Sequence, residues 1–473
     1  MSGLFSALNS SVSALTAHGR AVETAGKNLA NVSNPMYARQ RVIYGDRGTV
    51  VTPDGARSLG LEVLGVEQLR DALLDRQVVR ESARSAYYQA QQNGYQRAQA
   101  ALGQDVASAG ATSSANTDTG IASALDGLFN AFQNFAGNPT DTGQRQSLLQ
   151  SASILTDRIT LADSRLDQVQ VDLDSQVTND VADANRLLQT IADLNTQISR
   201  FEINRPGSAI DLRDQRQLAL EKLAAKLPIE TTELPTGQVI ISSVDASSAA
   251  VVLVSATGVE GPLAYNASGT PPAVTGGAGA VTLSLNSGSI QGSIDARIDA
   301  IQTLRDQLDL LAEQLVTSIN VLYNPSNTGN FFTATGTTAA TISLASGLTS
   351  SSLKASDGGA AGDNTIALGI AQLASKKFST AGTPADLIDG SFSGFFAGAV
   401  SGLGQAVSGA TARVNDQSRI EQLVRSQRDA VSGVSLDEEM ADLMKYQRAF
   451  QASSRVFQTI DELLELVVTR LGN

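Results

Sequence analysis

The chain has 473 residues, 42% hydrophobic but only 4% aromatic and without Trp, a composition that builds cores from helices rather than from bulky rings. Lys and Arg number 34 against 47 Asp and Glu, and the resulting charge of −13 disfavours a nucleic acid or an anionic membrane surface as partner. Cys is absent and His18 is the single histidine, which excludes disulfides, thiolate chemistry and Cys- or His-caged metals within one chain.

Length alone suggests about three domains. The first eight residues have neither a basic n-region nor a long apolar h-region, so no cleavable secretory signal is expected there. Leu4, Leu8, Ser11, Leu15, His18, Val22, Ala25, Leu29 and Val32 alternate spacings of four and three. That pattern predicts a heptad helix ending near 31–35, where Pro35 cannot continue it. His18 sits on this seam, so a packing or inter-subunit role is expected of it rather than that of a base.

Residues 145–201 predict one very long helix or two in line, with Val177, Ala184, Leu187, Ile191, Leu194, Ile198 and Phe201 on the later seam. Continuous, it would span on the order of 85 Å. Pro206 and Gly207 break it. A helix capped by Ser208 is expected over 210–226, and its charge run, 211–216, reads as a solvated face with weak local ion pairs. From 229 to 285, β-branched runs at 238–241, 251–254 and 281–285 predict strands separated by turns, while Gly, Ala and Thr at 269–280 predict a flexible loop.

A further helix is expected over 294–323, with Ile294, Ile298, Ile301, Leu308, Leu311, Leu315, Ile319 and Leu322 inward. The Ser-, Thr- and Gly-rich stretch 324–363 predicts one strand at 341–344. A long helix should run from Phe392 to Val431. Its uncharged part, 390–412, carries Gly394, Gly398 and Gly402 but is too rich in Gly and Ser for a membrane span. Finally, Met440, Leu443, Phe450, Phe457, Ile460, Leu464, Val467 and Leu471 form the stripe of a last helix. Ser435, Leu436, Asp437 and Glu438 fit its capping box, and Asp437, Glu438 and Glu439 suit its positive end.

These elements predict a mainly α protein with an inserted small β domain, an elongated and nested rod with paired N- and C-terminal coiled-coil helices. Residues 1–34 and 433–473 would form the terminal assembly domain. Residues 35–228, 287–325 and 380–432 would form a helical rod, and 229–286 with 326–379 an outer β-rich domain. No phosphate loop, dinucleotide turn, zinc-protease motif or nucleophile–base–acid set is present, so no catalysis, cofactor or metal is expected.

Asn28, Asn31, Pro35, Tyr37, Arg39 and Gln40 resemble the N-terminal signature of the flagellar axial family, which comprises rod, hook and hook-associated proteins. That family usually has Thr before the Pro and Gly after it; here Asn34 and Met36 stand there. Residues 432–440, with Tyr446, Gln447, 449–453 and 461–464, are similar to the ending of the hook-associated members. So are 191–198, 211–216, 311–315 and Asn320 to their middle helices. Rod and hook subunits share the ends but not this middle, and a flagellin-like filament subunit lacks the 435–440 motif. A secreted enzyme or effector using the same export route would need catalytic groups that the chain lacks.

The resemblance implies a structural subunit at the hook–filament junction, outside the cell on the bacterial flagellum. It implies export through the flagellar channel without a cleaved signal, and a tubular ring made with copies of itself. The implied partners are the flagellar hook protein, hook-associated protein 3 and a cytoplasmic export chaperone on the C-terminal helix, with no nucleic acid and no membrane. Asn28, Asn31, Pro35, Tyr37, Arg39, Ser435, Leu436, Asp437, Glu438 and Glu439 are its motif positions.

Overall fold

The structure, a computed structural model, describes residues 2–34, 36–46, 48–52, 55–58, 60–102, 120–358 and 362–471. The first helix, α1 (Ser2–Ala30), packs along the last, α10 (Leu436–Leu471). Inside that pair, α2 (Ala72–Ala101) packs along α9 (Phe392–Ser432), so the chain is nested as its apolar spacing predicts. Between α1 and α2 lie β1 (Gln40–Asp46), β2 (Thr49–Thr52), β3 (Gly55–Ser58) and β4 (Leu61–Gln68). Strand β1 pairs antiparallel with β4, and β2 with β3. These hairpins fall in the stretch expected to be helical. Their short β-branched runs carry no helical period.

The long helix is continuous. Helix α4 (Thr142–Phe201) has 60 residues, and its first N–H groups are capped by Asp141, whose Oδ1 accepts from Gly143 N at 2.7 Å. At 1.5 Å per residue it is about 90 Å long. Its first half meets α3 (Ile121–Gly137), α7 (Thr303–Tyr323), α8 (Thr365–Gln372) and the start of α9 in one core containing Leu148, Leu155 and Leu166. Its second half meets α5 (Ile210–Lys226) and the inserted strands in another, around Val177, Leu188 and Ile191.

The insertion is two three-stranded antiparallel sheets. One is β5 (Glu230–Glu233), β6 (Val239–Val244) and β7 (Ala250–Val254); the other orders β10 (Val281–Thr282), β9 (Ala273–Gly276) and β8 (Ala264–Asn266). The expected flexible loop at 269–280 therefore contains β9, with Val274 buried. Glycine serves close approach there: a Cβ on Gly276 would stand 2.6 Å from a methyl of Leu263. The strand expected at 281–285 is only two residues long.

Residues 326–358 and 362–379 do not join this β insertion. They close over the other core, where the Phe331 ring packs tilted against Phe132 (5.1 Å between centroids) and edge-on to Tyr323 (5.4 Å). Two adjacent rings, Phe331 and Phe332, fix the loop to the helices, a signal that the polar average of the stretch hides. The expected strand at 341–344 is a single bridge between Phe332 and Leu344.

Helix α6 (Gly288–Ala296), a π segment (Arg297–Gln302) and α7 form one continuous run ending at Tyr323 as expected, although Leu322 is 36% exposed. Phe201, expected inward, is 68% exposed, past the last turn that α5 and β6 cover. Nor does Ser208 cap α5: its Oγ donates to Arg205 O at 2.7 Å, and Glu202 accepts from Ala209 N at 3.1 Å.

The charge run at 211–216 is no solvated face. Arg213 binds Glu202 (2.8 Å) and Glu233 (2.7 Å), and Arg216 is buried, donating to Asn195 Oδ1 (2.9 Å) and Gly237 O (2.6 Å). Burial, then repulsion from Arg213, lowers the Arg216 pKa to about 10.

Candidate assembly interface

Along α1 the covered positions are small: Ser11, Ala17, Ala21, Thr24, Ala25 and Asn28. Small side chains let α10 approach closely, and at Gly19 the open side of the backbone faces the Phe450 ring, 3.7 Å from a Cβ position. The apolar seam lies beside this contact rather than in it. Leu4, Leu8, Leu15, His18, Val22 and Leu29 are half-buried. On α10, Leu443, Phe457, Ile460, Leu464 and Val467 are half-buried, while Met440 (47%) and Phe450 (41%) are exposed. The side chain of Leu471 lies outside the described residues. Met444, Val456, Leu463, Leu466 and Val468 add further exposed apolar surface to α10. A pair of helices has only one mutual contact line, so two wide apolar stripes cannot both close on it.

The two sequence motifs meet at the base of the pair. Asn28 is 1% exposed and fully bonded. Its Nδ2 donates to Gln40 O and to Glu439 Oε2, both at 2.9 Å, and its Oδ1 accepts from Tyr37 OH (2.9 Å) and Gln40 N (3.0 Å). Arg39 then binds the start of α10, Nε to Glu439 Oε1 at 2.6 Å and Nη1 to Glu438 Oε2 at 2.7 Å, with Asp442 at 3.6 Å. Its backbone N–H donates to Ser432 O at 2.8 Å. Thus Glu439, 3% exposed, accepts from both Asn28 and Arg39 and joins the two chain ends.

The expected capping box is rearranged by this clasp. Glu438 turns to Arg39 instead of reaching back to Ser435, whose carbonyl accepts from Glu439 N at 3.0 Å. Leu436 and Asp437 are exposed. Asn31 closes α1, its Nδ2 donating to Lys27 O at 3.0 Å, and Pro35 lies outside the described residues.

Within the clasp, Tyr37 and Arg39 both hold their protons more tightly than usual. Burial, reinforced by Asp214, pushes the Tyr37 phenol well above its ordinary value. Burial opposes the charge of Arg39, but Glu439 and Glu438 outweigh it and hold its pKa raised.

A second charged layer, missed from sequence, ties the clasp to the rod. Arg70 donates to Met36 O (3.2 Å), Asp75 (3.1 Å) and Asp214 (2.5 Å), and Gln68 also donates to Asp214 (2.7 Å). Beside it, Glu221 of α5 accepts from Arg428 (2.7 Å) and Arg425 (3.1 Å) of α9. Burial pushes both Asp75 and Asp214 up, with Arg70 opposing. Only Asp214 had a trace in the sequence, as part of the 211–216 run.

This arrangement binds helices together. Among the described residues no group of three or more His, Cys, Asp or Glu could hold a metal ion, and no helix is long and apolar enough to cross a membrane.

Known proteins carry the same signatures. Residues 111–330 match the family described as "Flagellar hook-associated protein FlgK helical domain", and 425–470 match "Flagellar basal body rod FlgEFG protein C-terminal". The chain is 24% identical over 522 aligned positions to flagellar hook-associated protein 1 of Bacillus subtilis, covering 100% of this chain and 99% of that one. It is 24% identical to the protein of that name from Salmonella typhimurium, spanning 67% of this chain but only 56% of that longer relative. A solved structure titled as the flagellar hook junction protein FlgK from Burkholderia pseudomallei aligns with 52% of this chain and 43% of that one at 22% identity and TM-score 0.43. The full-length match, the helical-domain match and the C-terminal rod signature agree: the chain is similar over its whole length to flagellar hook-associated protein 1, a structural protein of the flagellum.

Proposed function

We propose that the chain is the subunit that joins the hook to the filament, seated on the hook protein in a ring of its own copies and carrying hook-associated protein 3 above it. The observation that carries this reading is the terminal clasp. Asn28, Arg39 and Glu439 hold α1 against α10, yet the pair leaves its leucine stripes half open, as a helix pair waiting for neighbours would. Burying one Leu is worth roughly 1.5–3 kcal/mol, and a ring repeats that gain at every subunit. The seam residues Leu4, Leu8, Leu15, His18, Val22 and Leu29, with Met440, Leu443, Phe450, Phe457, Ile460, Leu464 and Val467, are the proposed inter-subunit surface. In the cytoplasm the same open stripe of α10 would be covered by an export chaperone before the protein leaves through the flagellar channel. Electron microscopy of cells lacking the gene tests the junction role. Hooks without filaments, with flagellin lost to the medium, are expected; full filaments on those hooks would reject it.

A further inference from the structure

Away from the terminal pair, a cleft of about 570 Å³ separates α2 from the inserted sheet. Arg76, Arg80 and Arg84 line one wall at four-residue spacing. In a chain of net charge −13, three guanidinium groups on one wall invert the local sign. Arg84 is paired with Glu81 at 3.1 Å and Arg76 donates from Nε to Ala72 O of its own helix at 3.2 Å, while among the described residues neither Arg76 nor exposed Arg80 makes an ion pair.

The opposite wall is the free edge of a sheet. Strand β5 pairs with β6 alone. Val239 gives its backbone N–H and C=O to Asn195 (3.0 and 2.8 Å), so its partner Glu233 is not a ladder-bonded position. By alternation, Thr231 also turns its backbone N–H and C=O away from β6. Thr231 lines the cleft, as does Ser243, whose buried hydroxyl has no partner among the described residues. Among the described residues Glu230 is the one carboxylate on this wall.

We propose that this cleft binds an extended, acidic peptide segment of a partner protein, with its backbone added to the edge of β5 and its carboxylates on Arg76, Arg80 and Arg84. The spacings agree. Arginines four apart on a helix rise about 6 Å per step. Alternate residues of a strand rise about 6.7 Å, so carboxylates at every second position meet successive guanidinium groups. Edge addition supplies main-chain bonds, and charge-assisted pairs supply selectivity for acidic side chains. This proposal does not rest on the junction role.

Fluorescence anisotropy on the full chain tests it with three labelled probes: a peptide with Glu at alternate positions, an isomer of the same composition with its Glu residues in one block, and single-stranded DNA of equal charge. The alternating peptide should bind at low salt, at least about tenfold tighter than either other probe, and weaken as salt rises. Arg80→Glu should cost about tenfold or more and Arg80→Gln less, both with unchanged circular dichroism. Thr231→Pro, which removes an outward N–H at an edge position, should also weaken binding. No binding of the alternating peptide, equal binding of the isomer or the DNA, or unchanged affinity in Arg80→Glu or Thr231→Pro would each overturn the proposal.

Discussion

The first half of α4 and the terminal pair use the same apolar spacing with opposite outcomes. On α4, Leu148, Leu155, Ile159 and Leu166 are 0% exposed, because α3, α7 and the Phe331 loop close over them. On α1 and α10 the closed positions are alanines, Ser11, Thr24, Asn28 and Glu439, and the leucines stay half open. A stripe becomes core only where enough neighbours surround it. In the rod those neighbours come from the same chain; at the ends the chain supplies a single partner helix and a polar clasp.

This contrast can be broken at its strong side first. Leu155→Ala leaves a cavity in the rod core and should cost roughly 2–5 kcal/mol, read as a lowered midpoint in thermal or denaturant unfolding. Glu439→Ala strikes the clasp. It strips Arg39 and Asn28 of a shared acceptor and should weaken the α1–α10 pairing by roughly 1.5–3 kcal/mol. Limited proteolysis should then release both ends faster while the melting of the rod stays put; a rod that melts earlier by the same amount would mean that the two regions are one cooperative unit.

Leu464→Asp should move rod melting by less than about 1 kcal/mol, since the site is half open in the single chain. In cells the same change should abolish filament attachment, because a carboxylate there would have to be desolvated in the assembly. Exported Leu464→Asp protein supporting full filaments would show that the seam does not hold the subunit in place.

The smallest effect expected is a pH dependence at the layer between clasp and rod. Burial raises the Asp214 pKa above its ordinary 3.8, with Arg70 opposing. Folding therefore favours its protonated form: its contribution is fully present below the ordinary value and is lost as pH rises through the raised one. Glu202 has the opposite sign. Burial works against its charge, but Arg213 and backbone N–H groups outweigh it and lower its pKa, so its contribution is lost as pH falls. Comparison with an Asp214→Asn variant isolates the Asp214 contribution. As pH falls from neutral through the carboxylate range, the parent should gain melting temperature relative to the variant. A difference independent of pH would show that Asp214 has the same pKa in the folded and the unfolded protein.

By itself, the sequence determined what depends on neighbours a few residues away. The heptad spacing placed both terminal helices, the break at Pro206 and Gly207 set off a helix over 210–226, and the apolar period within 145–201 placed α4, as one helix or two in line. The end motifs were likewise legible as residues, though not as one object. Arg39 and Glu439 stand 400 positions apart, and no local rule brings a Glu that fits a helix start to an Arg behind a broken helix. Tertiary structure alone decided that pairing, the choice of the small-residue face of α1 as the closed one, the burial of Arg216 and the capture of 326–358 and 362–379 by the rod core. Each is a choice between surfaces of equal local propensity, settled only by which other parts of the chain arrive there with the shape, the acceptors or the charge to cover them.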